Sequence, residues 1–87
     1  MAELYVRIVS AEQEIWRGQA SMVTAKTVEG EIGILPGHEP MLGLLANEGT
    51  VRVTTVDGER ITAEAAEGFL SVDADQVRVV ARRAALV

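Results

Sequence analysis

On either side of Asp57-Gly58 this sequence alternates apolar and polar residues, from Thr50 to Val56 before the pair and from Arg60 to Ala65 after it. Period-two alternation marks a strand with one face in a core and one in water. An Asp-Gly dipeptide between two such runs predicts a hairpin, because glycine takes the positive φ that tight hairpin turns need. The same punctuation recurs along the chain. Leu4 to Val9 alternates, with Leu4, Val6 and Ile8 on one face. After the polar Ser10-Ala11-Glu12-Gln13 break, Ile15, Trp16 and Gly18 read as a short extended piece with the indole in the core. Ala20 to Thr27 is a further strand, setting Ser21, Val23 and Ala25 against Met22, Thr24 and Lys26. Thr27-Val28-Glu29-Gly30 is its turn and Glu31 to Leu35 the return. Met41 to Leu45 reads as a buried strand-like piece closed by Ala46-Asn47-Glu48-Gly49. Phe69 to Val72, Asp73-Ala74-Asp75 and Gln76 to Ala81 make a last hairpin, with Val77, Val79 and Ala81 inward. Ala63 to Glu67 has helix propensity but is stopped by Gly68 after too few residues to nucleate. The pattern predicts an all-β fold of about eight to ten short strands, a two-layer antiparallel sandwich or flattened barrel.

At 87 residues the chain makes one domain with a small core. Aromatic residues are only 3%, so that core must be aliphatic. The sandwich is expected over residues 1–81. Only 82–87, Arg-Arg-Ala-Ala-Leu-Val, has helix-friendly composition. There is no cysteine, hence neither a disulfide framework nor a thiolate metal site. No apolar run approaches the roughly 18 residues of a spanning helix, and the N-terminus has no basic region ahead of an apolar one, so a soluble, unexported chain is expected. A net charge of -5 argues against nucleic acid as a partner. The basic cluster Arg78, Arg82 and Arg83 reads as a solvated last strand, with docking of a C-terminal continuation as the other reading.

The residues offer no catalytic constellation. One histidine, His38, stands beside Glu39 and Glu31 without the spacing of a metal-ligand set. Ser10, Ser21 and Ser71 are isolated, with no strand-turn-helix elbow around them. The glycine-rich stretch lacks the Lys-Ser/Thr ending of a phosphate loop. Glu29 and Glu31 share one face of a strand, where solvated charge accounts for both. No enzyme activity, metal or cofactor is expected of the chain itself, which leaves binding.

The segment Glu29 to Pro40 is built differently from its flanks. It holds both prolines and the one histidine of the chain. Gly30 and Gly33 bracket Glu31-Ile32, as at a bulge, a bend or a close backbone approach. Pro36-Gly37 forces a turn, with His38 and Glu39 at its crown and Pro40 stiffening the exit. The run Glu-Gly-Glu-Ile-Gly-Ile-Leu-Pro-Gly-His-Glu-Pro-Met-Leu resembles the signature of the epsilon subunits of F-type ATP synthases. Val9-Ser10-Ala11-Glu12 with Trp16 and Gly18 is similar to that family's opening pattern, and Gly68-Phe69-Leu70 with Val77-Arg78-Val79 to its closing strands.

The resemblance implies the family's N-terminal β-sandwich, with 82–87 leading towards the first helix of a C-terminal helical hairpin. It implies a rotor subunit of the central stalk that binds the gamma subunit and the c-ring and helps couple proton flow to ATP synthesis. Glu29, Glu31 and His38 match positions that meet the c-ring loops; Ser10, Met41 and Leu42 match regions near gamma, although Met41 and Leu42 also read as plain core. Gly30, Gly33, Pro36, Gly37 and Pro40 would shape the edge. Such a chain would sit peripherally on the cytoplasmic side of a bacterial membrane, held there only through the complex. The competing class is a generic β-sandwich interaction or ligand-binding module, which would favour a concave pocket lined by aromatics.

Overall fold

The computed structural model describes residues 2–87, and among them the regular structure is entirely strand. Seven strands follow in order: β1 (Leu4–Ser10), β2 (Glu14–Thr27), β3 (Gly30–Ile34), β4 (Met41–Leu44), β5 (Gly49–Thr55), β6 (Arg60–Asp73) and β7 (Gln76–Leu86). The strands β1, β7, β6, β5 and β2 pair in that order, and β2 pairs back onto β1. The ring is therefore closed, which removes most of the open edge. One pairing, β1 with β7, is parallel; the others are antiparallel.

Three long strands serve both layers of the flattened barrel. The second half of β2 pairs with β3 and β5, β5 pairs with the first half of β6, and that half pairs with the end of β7. The first half of β2 pairs with β1, β1 with the start of β7, that start with the second half of β6, and that half with β4. We call these the first and second layers. Seven continuous strands thus replace the eight to ten short pieces read from the sequence, since Ile15–Gly18 fuses with Ala20–Thr27 and Arg60–Ala65 with Phe69–Val72.

Each long strand changes its inward phase where it crosses between layers. In β2 the buried positions pass from Ala20 to Val23, with Ser21 and Met22 both exposed and the register to β5 shifting between Ala20 and Met22. This bulge puts Ser21 outside, against its expected place on the face of Val23 and Ala25; its hydroxyl donates to the Thr54 carbonyl at 3.3 Å. In β6 the buried positions are Ala63 and Ala65, then Leu70 and Val72. Between them Glu67 takes φ 56. Arg82 of β7 lies opposite, 3.7 Å from the Glu67 carboxylate.

Among the described residues seventeen buried apolar side chains form one core, including Leu4, Val6 and Ile8, Val51 and Val53, and Val77, Val79 and Ala81, all on the faces that alternation predicts. Trp16 is half-buried and packs against this core, its ring lying over Gly18. Thr27, the buried polar residue, is satisfied: its hydroxyl donates to the Gly30 carbonyl at 2.7 Å and accepts from the Glu29 amide at 3.2 Å. Residues 82–86 differ from the helical lead-in expected of them. They extend β7, with Arg83, Ala84, Ala85 and Leu86 opposite Ala66, Ala65, Glu64 and Ala63, and a strand edge offered by β6 outweighs a weak local helix preference.

Candidate functional site

Among the described residues strand β3 pairs only with β2, so its other side is a free edge of the first layer. The Val28-Glu29 turn stands at one end of it and the Leu35-to-His38 turn at the other, roughly 13 Å apart at the rise of an extended chain. Glu29 and Glu31 are exposed and His38 half-exposed, so all three expected ring-facing residues lie along this edge. Glu31 is opposite Lys26 on β2. Gly30 sits at φ 123 and Gly37 at φ 87, left-handed positions that glycine suits. Gly33 differs from expectation. It is a regular strand residue opposite Thr24, and a Cβ there would make ordinary contact with Met22 Cε at 3.5 Å, so it shapes no turn.

The crown is a closed turn. The His38 amide donates to the Leu35 carbonyl at 3.1 Å, with Pro36 and Gly37 between them. His38 Nδ1 lies 2.7 Å from the Glu39 carbonyl oxygen. A carbonyl oxygen only accepts, so Nδ1 carries the proton, which leaves Nε2 as the acceptor of the ring, with no hydrogen bond among the described residues.

The expected gamma-facing residues separate. Ser10 closes the turn between β1 and β2, its hydroxyl donating to the Gln13 carbonyl and accepting from the Glu12 and Gln13 amides. Met41 and Gly43 turn inward, Met41 packing on the core, whereas Leu42 and Leu44 point out at 71% and 61% exposure. The expectation of a wholly buried Met41–Leu45 piece is therefore met only in part.

Registers across the second layer show what Leu42 and Leu44 belong to. Leu44 is opposite Phe69, Phe69 opposite Val80, and Val80 opposite Val9. These four make an apolar row across the outer face, with Phe69 38% exposed. The next row runs Leu42, Ser71, Arg78, Arg7 and Arg17. Arg7 is bound to Glu14 at 2.7 Å and Arg17 stands 3.9 Å from the same carboxylate, while Arg78 forms no ion pair among the described residues. The first layer is different outside: Thr24 is opposite Arg52 and Arg52 opposite Thr62, a polar row. Phe69, Val80 and Val9 are partners of Leu44 that sequence reading missed; outward apolar positions on flanking strands were the only local sign.

A cleft of about 1130 Å³ opens at one end of the barrel, between the Ser10-to-Gln13 turn, the Asn47-to-Gly49 turn and Arg82 to Ala85. Among the described residues no aromatic side chain lines it, unlike the pocket that a small-molecule module would present.

The family model for the beta-sandwich domain of the ATP synthase delta/epsilon chain matches residues 3–87. The ATP synthase epsilon chain of Rhodococcus erythropolis is 56% identical over 84 residues, covering 97% of this chain and 69% of that protein. That of Micrococcus luteus is 58% identical over 86 residues, covering 99% of this chain and 93% of that one. In a solved structure of the Euglena gracilis mitochondrial ATP synthase, comprising OSCP, F1 and c-ring, one chain superposes with a TM-score of 0.90 at 24% identity; the match covers 99% of this chain and 54% of that one, and it supports the fold. The chain therefore belongs to the delta/epsilon family of ATP synthase chains, whose beta-sandwich domain it forms.

Proposed function

We propose that this chain acts as the epsilon subunit of an ATP synthase central stalk, a rotor part that carries no catalysis itself and helps couple proton flow to ATP synthesis. Its second-layer face docks on gamma, and its β3 edge seats on the polar loops of the c-ring. It works on the cytoplasmic side of a bacterial membrane and reaches that membrane only through the complex.

The observation that carries the docking half is the inequality of the two outer faces. Leu42, Leu44, Phe69, Val80 and Val9 gather on one of them, and a contiguous apolar patch beside charged residues fits a protein interface. Arg78 at its margin suits a partner carboxylate. Of the residues first assigned to gamma, Leu42 serves this face directly, while Ser10 and Met41 support it by closing a turn and by packing beneath. For the ring half, the carboxylates of Glu29 and Glu31 and the Nε2 of His38 offer acceptors to donor groups on loops. The closed barrel supplies the stiffness that torque transfer requires.

Co-purification with gamma tests the docking half. Leu44→Glu combined with Phe69→Glu is expected to abolish capture of gamma while the circular dichroism spectrum stays that of the wild type. Arg52→Glu, on the other face, is expected to capture gamma normally. Capture retained by the double variant and lost in Arg52→Glu would overturn the assignment of faces.

A further inference from the structure

We propose that Asp75 is a positioning residue that bolts the His38 turn of the first layer to the second layer, an inference that rests on reading the β3 edge as the ring seat. The Gly37 amide donates to Asp75 Oδ1 at 2.7 Å, across 38 positions of sequence. The Asp75 carbonyl accepts from the Tyr5 amide at 2.8 Å, so the same residue is tied to the start of β1. Ala74 and Asp75 have φ of 50° and 63° and form the two-residue turn between β6 and β7, whose closing pair is Asp73 and Gln76.

The consequence is mechanical. The crown leaves the end of β3, which among the described residues has only β2 beside it, and its remaining hydrogen bonds there are local: His38 amide to Leu35, His38 ring to Glu39. A carboxylate accepting from a backbone amide is among the stronger neutral-donor bonds. Asp75 supplies that bond from a hairpin of the opposite layer, itself pinned by β1 and closed by strand pairing. A load on the His38 ring thus passes into both layers rather than into one edge strand. Asp75 needs no contact with the ring to do this.

Asp75→Gly is the informative variant, because glycine keeps the positive φ and removes only the carboxylate. Asp75→Asn is the rescue, since asparagine tolerates the same backbone and its Oδ1 accepts the same bond. Amide hydrogen exchange on the full chain reads the bolt, and rebinding to synthase particles stripped of their epsilon chain reads its purpose. In Asp75→Gly, Gly37 exchange is expected to rise by roughly tenfold or more while the amides of β5 stay protected. Rebinding is expected to weaken in the same direction as in the double variant Glu31→Ala with His38→Ala, and Asp75→Asn is expected to restore both. Wild-type exchange at Gly37 in Asp75→Gly overturns the bolt. Faster exchange with unchanged rebinding, while the double variant is weakened, overturns the positioning role. Unchanged rebinding of both Asp75→Gly and the double variant overturns instead the reading of the edge as the ring seat.

Discussion

Gly68 on β6 lies against the backbone of β7 so closely that a Cβ built on it would meet the Val80 carbonyl oxygen and stand 2.6 Å from Ala81 Cα. The approach occurs where both strands change phase, beside Glu67 at φ 56. Glycine is required here by space, since neither obstacle is a side chain that can swing away. Gly68→Ala is expected to lower stability by about 3 kcal/mol or more in urea unfolding, because the clash must be relieved by moving a paired strand. Gly33→Ala serves as the contrast. Its Cβ meets only Met22 and Thr24 side chains at ordinary distance, so a change within about 0.5 kcal/mol is expected. Equal effects at the two positions would contradict the close approach of β6 and β7.

Gly37 makes a different demand. Nothing lies within 4 Å of a Cβ built there, but its φ of 87° is one that a β-branched residue avoids. Gly37→Val is expected to cost on the order of 1–3 kcal/mol from backbone strain alone. A silent substitution in the same unfolding assay would show that the crown can relax into another turn.

Local pattern was enough for much of the fold. Leu4, Val6 and Ile8, and Val77, Val79 and Ala81, face the core as their alternation requires, and Asp57-Gly58 lies in a hairpin loop with Gly58 at φ 90°. What the pattern could not supply was the phase of the long strands. The extra residue at Ser21 and the kink at Glu67 exist because a strand turns a corner of the barrel, a tertiary demand that no period-two template contains. Arg82 to Leu86 were misjudged for a related reason: their partner edge, Ala63 to Ala66, is distant in sequence. At the site, the Pro36-Gly37 turn was enough to put His38 on a crown and charge enough to put Glu29 and Glu31 in water, while their grouping as ring-facing residues came from the resemblance to the epsilon subunits. The apolar row was invisible because Leu44, Phe69, Val80 and Val9 come from four strands, and only their register makes them neighbours. The Asp75 bond to Gly37 has no sequence signal either.

The ring seat calls for a double substitution. Glu31 and His38 are accessible, and exposed polar pairs contribute only about 0.2–1 kcal/mol each, so either alanine variant alone would be close to neutral. Glu31→Ala with His38→Ala is expected to weaken assembly onto the ring and reduce proton-coupled ATP synthesis, with the fold of the isolated chain unchanged by circular dichroism. A double variant that assembles and couples like the wild type would return the edge to the status of a well-formed loop.

Site-directed photo-cross-linking within the assembled synthase tests the central claim most directly, since it reads which face meets which partner. A photoreactive residue at Leu44 is expected to label gamma, one at Glu31 the c-ring, and one at Arg52 neither. Labelling of gamma from Arg52 with none from Leu44, or labelling of neither partner from Leu44 and Glu31, would contradict a sandwich that docks by its second layer and seats by its β3 edge.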